Sequence, residues 1–170
     1  VMGKDAIDMA VTDLRRIVSP SCTEKLPLVG ADGYYALVQQ SGQIAEQSGL
    51  SEKTVLHLLN RYGSLISEIL ELIASDKKLA QPLTKDVPYL KAEIVYAVTH
   101  EGAMTVDDVV SRRTRIAFEA PNGGVDLIDD IAALIAPYLG WGAKEKKASA
   151  AEYRAQVAAE VSALEALVNP

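Results

Sequence analysis

The sequence predicts an all-α protein, a single-domain bundle of about seven to nine helices around one core. Three observations predict this class. Apolar residues recur at three- and four-residue steps in several segments, which is the period of a helix with one buried face. No two segments alternate apolar and polar residues as a pair of strands would. The 170 residues are 49% hydrophobic and 24% charged, as is typical of one globular domain.

The first half of the chain is predicted to hold five helices. The first covers residues 2–18, and its apolar stripe consists of Met2, Ala6, Met9, Ala10, Leu14 and Ile17. Residues 26–33 combine a proline and two glycines with short apolar groups, which predicts an irregular connector whose side chains pack down. A short helix follows at 34–39, two more lie within 42–62, and another begins at Ser64.

The middle of the chain alternates loops and short helices. Two prolines bracket a loop at 82–88, and the apolar period resumes over residues 89–99 until a glycine breaks it. Thr105, followed three residues later by Asp108, resembles a capping box, in which each side chain accepts a hydrogen bond from the other residue's backbone. This pair predicts a short helix over residues 105–113.

The last third is predicted to hold two longer helices. Residues 116–118 are interpreted as a loop or helix end, because an isolated strand is not stable. Apolar residues at helical spacing over 127–139 predict a helix, in which Pro137 predicts a kink or an early stop. Residues 144–147 are interpreted as a short basic linker, and the alanine-rich segment 149–168 predicts a final helix with one apolar stripe.

Composition and charge exclude several classes of protein. Seventeen basic against twenty-three acidic residues leave a net charge of -6, so no domain-wide positive field exists to attract nucleic acid. The single Cys22 excludes an internal disulfide and favours a reducing, cytoplasmic setting. No apolar run approaches the roughly 20 residues of a spanning helix, and acidic residues interrupt what would be a secretory signal. Because the first residue is Val1, we expect a piece of a longer protein.

No catalytic, cofactor-binding or metal-ligating residue is predicted from the motifs. His100 and Glu101 begin as a zinc-protease motif does, but the position of the second histidine is Met104. The glycines lie in predicted turns and lack the strand-to-helix context of a phosphate-binding loop. With only His57 and His100, a histidine-rich metal site is not expected.

Residues 44–55 resemble the helix-turn-helix of bacterial repressors. Gly49 is free to take a positive φ in the turn, and Ser51 is placed to cap the second helix, which would be the recognition helix. That helix offers Glu52 against Lys53 in an acidic chain, so phosphate neutralisation would be weak. A helix pair joined by a glycine turn is also a common packing unit. A DNA-binding regulator is therefore kept as the alternative function.

One cluster of charged side chains is a candidate site. It consists of His100, Glu101, Arg112, Arg113 and Arg115. The arginines lie at the end of the predicted helix, where the helix dipole favours cations. In the structural interpretation, which the sequence favours, Arg112 pairs with Asp108 one turn earlier, and the others hold Glu93, Glu101 or a partner domain. In the functional interpretation the guanidinium groups bind a small phosphate or carboxylate.

Several short motifs carry a family resemblance. They are Leu26-Pro27-Leu28-Val29-Gly30-Ala31-Asp32-Gly33, Arg61-Tyr62-Gly63-Ser64, Leu90-Lys91-Ala92-Glu93-Ile94-Val95-Tyr96-Ala97, His100-Glu101-Gly102-Ala103, Asp107-Asp108-Val109, Arg112-Arg113-Thr114-Arg115 and Leu139-Gly140-Trp141. In sequence and in order they resemble the C-terminal helical domain of FAD-dependent glycerol-3-phosphate dehydrogenases. The resemblance covers nearly the whole chain.

The resemblance implies a two-part organisation. Residues 1–20 would be the last helix of a missing flavin domain and its linker, and residues 21–170 the C-terminal helical domain. The intact protein would bind FAD in the missing domain, oxidise glycerol 3-phosphate to dihydroxyacetone phosphate by hydride transfer to the flavin, and pass the electrons to a membrane quinone. The chain itself would hold no cofactor and would be inactive.

The resemblance also implies the partners. The first is the protein's own flavin domain, and its absence predicts an exposed apolar patch beside the first helix. Quinone and the membrane surface would be met through the full-length protein, which would be cytoplasmic and peripheral at the inner face of the cell membrane. A homodimer is left open, and no nucleic acid is expected.

Overall fold

The structure is a computed structural model that describes residues 2–12, 14 and 17–168 of the chain. Within these residues it is all-α, as predicted, with nine α-helices, a π-helical segment and no β-strand. The helices are α1 (Met2–Val11), α2 (Tyr34–Gln39), α3 (Ser41–Ser48), α4 (Glu52–Tyr62), α5 (Ile66–Ser75), α6 (Lys91–Thr99), α7 (Ile116–Glu119), α8 (Ile128–Leu139) and α9 (Ala143–Val168), and the π-helical segment is Asp108–Arg113.

Helix α6 lies at the centre of the fold because it is apolar nearly all round and is buried on every side. Ile94 and Ala97 belong to an apolar cluster formed with α7, α8, α9 and the π-helical segment. Val95 and Tyr96 belong to a second cluster, formed with α3, α4 and α5. The helices therefore enclose two apolar clusters that share α6, where the sequence predicted a single core.

Helices α3 and α4 form the helix pair that the sequence predicted. Gly49 ends α3 in a left-handed conformation with a φ of 73°. The Ser51 hydroxyl accepts a hydrogen bond from the backbone N–H of Thr54 at 3.1 Å and so caps α4. Val55 and Leu58 bury the inner face of α4. The short helix predicted before this pair is α2, with the predicted bounds.

Helix α1 ends at Val11, earlier than predicted. Met2, Met9 and Ile17 of the predicted stripe are exposed, and α1 buries none of its residues. Residues 13, 15 and 16 of the predicted helix lie outside the described residues.

The irregular connector after α1 does not pack its side chains down, contrary to the prediction. Leu26, Leu28 and Val29 are 62%, 82% and 87% exposed. The connector is held instead through its backbone, because the carbonyl of Gly30 accepts a hydrogen bond from the N–H of Ser64 at 2.9 Å. This attachment leaves the neighbouring apolar side chains in solvent.

Several other boundaries differ from the prediction. The segment after Thr105 winds as a π-helix and not as an α-helix, since the N–H of Thr114 donates to the carbonyl of Val109, five residues earlier, at 2.8 Å. Residues 116–118, interpreted as a loop or helix end, belong to the short helix α7.

Helices α8 and α9 also correct two expectations. Helix α8 does not stop early, because Pro137 lies in its last turn. Proline has no N–H to donate to the carbonyl of Ala133, four residues earlier, and Ala133 is exposed to water. Residues 144–147 are not a linker but the first turn of α9. The N–H of Gly142 donates to the Glu145 carboxylate at 3.0 Å, and this bond stabilises the earlier start.

Candidate functional site

Glu93, in the first turn of α6, is fully buried. Its Oε2 accepts a hydrogen bond from the backbone N–H of Leu90 at 2.7 Å, and its Oε1 accepts one from the Tyr62 hydroxyl at 3.1 Å. Nε2 of His57 lies 3.0 Å from Oε1, and Nε of Arg61 lies 3.7 Å from the same oxygen. These donors compensate a charge that an apolar surrounding would otherwise disfavour.

Helix α4 supplies two donors and a cation to Glu93 from one side, and Nε of Arg61 has no hydrogen-bond partner among the described residues. His57 and Arg61 are one turn apart, so both face α6, and Tyr62 follows directly. Burial raises the pKa of the Tyr62 hydroxyl, and the nearby Glu93 carboxylate raises it further. The phenol therefore keeps its proton and acts as a donor.

Arg61 connects Glu93 to the chain beyond α6. Its guanidinium lies 4.9 Å from the ring centre of Tyr89, and it donates to the Tyr89 hydroxyl at 3.3 Å and to the backbone carbonyl of Arg113 at 3.0 Å. The Tyr89 hydroxyl in turn accepts from the N–H of Arg115 at 3.0 Å and donates to Glu119 at 2.9 Å. These contacts fasten α4, α6 and α7 together.

We call these side chains the glutamate network. Its members are His57, Arg61, Tyr62, Tyr89 and Glu93. The sequence analysis missed it as a unit. The signal that could have found it is a carboxylate inside the apolar run Ala92-Glu93-Ile94-Val95, since a charge in a helix that is apolar all round has to be buried and paired. Its partners on α4 lie more than 30 residues away, and local periodicity carries no information about them.

The structure keeps Arg113 and His100 near Glu101 but pairs Arg112 and Arg115 with other carboxylates. Arg112 pairs with Asp107 and, at 2.9 Å, with Asp108, and the predicted pairing with Asp108 is confirmed. Nε of Arg115 lies 3.6 Å from Glu119, and both side chains are largely exposed. Glu93 is paired with Arg61 and with no arginine of the cluster.

His100 and Glu101 lie at the C-terminal end of α6. The His100 ring stacks on Tyr96 at 4.5 Å, and its Nδ1 shares a hydrogen bond of 2.7 Å with the Thr99 hydroxyl. Oε2 of Glu101 is buried and has no hydrogen-bond partner among the described residues. Burial raises the pKa of the Glu101 carboxyl, although the positive charge of Arg113 opposes the rise. The exposed Arg113 side chain thus lies near the partly buried Glu101 carboxyl, beside the glutamate network.

The predicted capping box is present and leads to a testable prediction. The Asp108 carboxylate accepts from the N–H of Thr105 at 3.0 Å and from that of Met104 at 3.1 Å, while the Thr105 hydroxyl accepts from the N–H of Asp108 at 3.1 Å. Partial burial alone would raise the pKa of Asp108, but these hydrogen bonds and Arg112 outweigh it and lower the pKa below its ordinary value. We expect Asp108→Asn to lower the free energy of unfolding by about 1 kcal/mol at pH 7.

The pH dependence of that loss follows from the direction of the shift. A carboxyl whose pKa is lowered in the folded state stabilises the protein above its unfolded pKa, about 3.9, and this contribution is lost as the pH falls through the lower folded pKa. Urea unfolding at pH 7 and pH 3 should therefore show the difference between wild type and Asp108→Asn shrinking on acidification. Asp130→Asn, on the exposed face of α8, is the control. An unchanged difference at both pH values would contradict the prediction.

The fold and the glutamate network define a helical scaffold domain, in which buried charges fasten helices to one another. A family model described as the C-terminal domain of alpha-glycerophosphate oxidase matches residues 21–146. The chain belongs to this family.

Named relatives agree with the family. Glycerol-3-phosphate dehydrogenase 2 of Mycobacterium bovis is 48% identical over 161 residues, which cover 95% of this chain and 28% of the relative. Glycerol-3-phosphate dehydrogenase of Mycobacterium leprae is 45% identical over 161 residues, which again cover 95% of this chain and 28% of the relative. A probable mitochondrial glycerol-3-phosphate dehydrogenase of Dictyostelium discoideum is 31% identical over 74% of this chain and 19% of the relative. The chain thus spans less than a third of these relatives, and no solved structure matches it.

Among the described residues no helix is long and apolar enough to cross a membrane, and no three metal-ligating side chains come together. The helix pair that resembles a DNA-binding motif is an integral part of the core, and Glu52 on its second helix is bonded to the Ser41 hydroxyl at 2.7 Å. The family relationship favours the dehydrogenase over the alternative of a DNA-binding regulator.

Proposed function

We propose that this chain is the accessory C-terminal domain of a flavoprotein that oxidises glycerol 3-phosphate to dihydroxyacetone phosphate and passes the electrons to quinone. The observation that carries the proposal is 48% identity, over 95% of the chain, to a protein named glycerol-3-phosphate dehydrogenase. In this proposal the chain contributes no catalytic group. It stabilises the flavin-binding part of the protein or forms its interaction surface.

In this proposal the described residues do not form the flavin site. A dinucleotide-binding fold needs a strand, a glycine-rich turn and a helix in succession, and the described part of the chain has no strand. In our proposal FAD is therefore held outside these residues.

The glutamate network supports a role in positioning a surface. It fixes α4, the start of α6 and the backbone at Arg113 and Arg115, while both arginine side chains extend into solvent. The apolar side chains of α1 and the connector are also exposed. We propose that the flavin domain covers these charged and apolar groups, and that the complete enzyme works peripherally at the inner face of the cell membrane.

A chimera tests this function. The matched segment of the Mycobacterium bovis relative is replaced by this chain, and the relative with that segment deleted serves as the control. We expect the chimera to show a flavin spectrum and to oxidise glycerol 3-phosphate with an artificial electron acceptor, and the deletion to lose at least 90% of this activity. Arg113→Ala with Arg115→Ala should lower the activity of the chimera but leave the folding of the isolated chain unchanged.

Two results would contradict the proposal. One is a flavin spectrum or glycerol 3-phosphate oxidation from the isolated chain. The other is a chimera that is no more active than the deletion, although circular dichroism shows that it is folded.

A further inference from the structure

A groove of about 1030 Å³ lies between α4 and the loop that precedes α6. This volume is at the upper end of the range for small-molecule pockets. Its walls are largely apolar, and they include Leu50, Leu56, Val87 and Leu90. The groove is distinct from the surface proposed to meet the flavin domain.

His57 joins this groove to the glutamate network. Its side chain lines the groove and is 17% exposed. Nε2 faces the Glu93 carboxylate, which accepts hydrogen bonds only, so Nε2 carries a hydrogen. Nδ1 takes no part in these contacts with Glu93.

The charges along the groove favour such an acceptor. Lys53 lies one turn before His57 on α4, and Lys85 comes from the opposite wall. Glu52 is the one acid among the described residues that line the groove, and its carboxylate accepts a hydrogen bond from Ser41. Two exposed ammonium groups and an imidazole therefore lie along a groove whose remaining lining is apolar and neutral polar apart from Glu52.

We propose that this groove binds a small organic anion, with a phosphate or carboxylate group beside His57, Lys53 and Lys85 and an apolar body between the two walls. The buried Glu93 carboxylate holds the orientation of His57 at the groove, as an outer partner does for a ligand-binding imidazole. The site is a property of this chain and does not depend on oxidation of glycerol 3-phosphate by the complete enzyme.

The two histidines of the chain make the test specific. Phenyl phosphate is titrated into the 170-residue chain while the imidazole C–H signals of His57 and His100 are followed by NMR. We expect a saturable shift of the His57 signal and little change at His100, which lies at the far end of α6. Benzoate replaces phenyl phosphate to identify the preferred anionic group, benzyl alcohol tests the apolar body alone, and inorganic phosphate tests the charge alone.

Lysine variants test the role of charge. Lys53→Ala with Lys85→Ala should weaken phenyl phosphate binding about tenfold, because each exposed ion pair contributes a few-fold. Lys78→Ala, which removes an exposed lysine outside the groove, is the matched control and should bind as wild type does. All three lysines are exposed, so these changes should leave the fold intact.

Four results would overturn the proposal. They are no shift at His57 with either organic anion, an equal or larger shift at His100, equal binding of inorganic phosphate or benzyl alcohol, and unchanged affinity in the double lysine variant. A shift confined to His100 would place the anion at the arginines instead.

Discussion

Glu93→Ala is expected to lower the free energy of unfolding by about 3 to 5 kcal/mol, the range for removal of one partner from a buried ion pair. The carboxylate accepts from Leu90 and Tyr62 and faces His57 and Arg61. Alanine would leave these donors and a cation without an acceptor, in addition to a cavity at the junction of two apolar clusters. Urea unfolding followed by circular dichroism measures the loss, and the midpoint of thermal unfolding should fall by about 10 °C.

Two further variants make the result interpretable if Glu93→Ala does not fold. Glu93→Gln keeps the side-chain volume and one acceptor oxygen, but its NH₂ group faces other hydrogen-bond donors. We therefore expect it to lower the free energy of unfolding by less than Glu93→Ala does. Glu71→Gln removes an exposed carboxylate from α5 and should change the free energy of unfolding by less than about 0.5 kcal/mol. If Glu93→Ala were no more harmful than Glu71→Gln, the glutamate network would not hold the helices together.

The sequence was sufficient to predict the features of the fold that depend on neighbouring residues. The apolar period located α5, α6 and α8, and the turn and capping residues between α3 and α4 behave as their chemistry requires. The ion pair between Asp108 and Arg112 was also predictable, because residues four apart lie on one face of a helix. The actual winding of that segment is π-helical, but this change did not separate the pair.

The features that depend on distant residues could not be predicted in the same way. Arg113 and Arg115 are close in sequence to Glu101, yet Arg115 pairs with Glu119 and the backbone of Arg113 binds Arg61. The partner of a buried charge is decided by how helices pack, and helical periodicity specifies only which face is buried. The same limit applies to the connector, whose apolar composition suggested burial although its backbone makes the contact.

That backbone contact depends on Gly63, where we expect the second large effect. Gly63 has a φ of 58° and a ψ of -131°, a combination that residues with a Cβ rarely adopt. A Cβ at this position would overlap the carbonyl group of Gly30, which is backbone and cannot rotate away. The same carbonyl accepts the hydrogen bond from Ser64 that holds the connector. Gly63→Ala should therefore lower the free energy of unfolding by about 3 kcal/mol, the sum of strain and a lost hydrogen bond.

Alanine variants of two other glycines distinguish the cost of backbone strain from the cost of the clash with Gly30. Gly49 also has a positive φ, but a Cβ there meets no atom within 4 Å, so Gly49→Ala should cost only the backbone strain, about 1 kcal/mol. Gly42 lies inside α3 with room for a methyl group, so Gly42→Ala should stabilise the chain by up to about 1 kcal/mol. Urea unfolding of the three variants measures their free energies of unfolding, and their order tests the prediction. If Gly63→Ala cost no more than Gly49→Ala, the close approach of Gly30 to Gly63 would make no contribution to stability, and the connector would be held by other contacts.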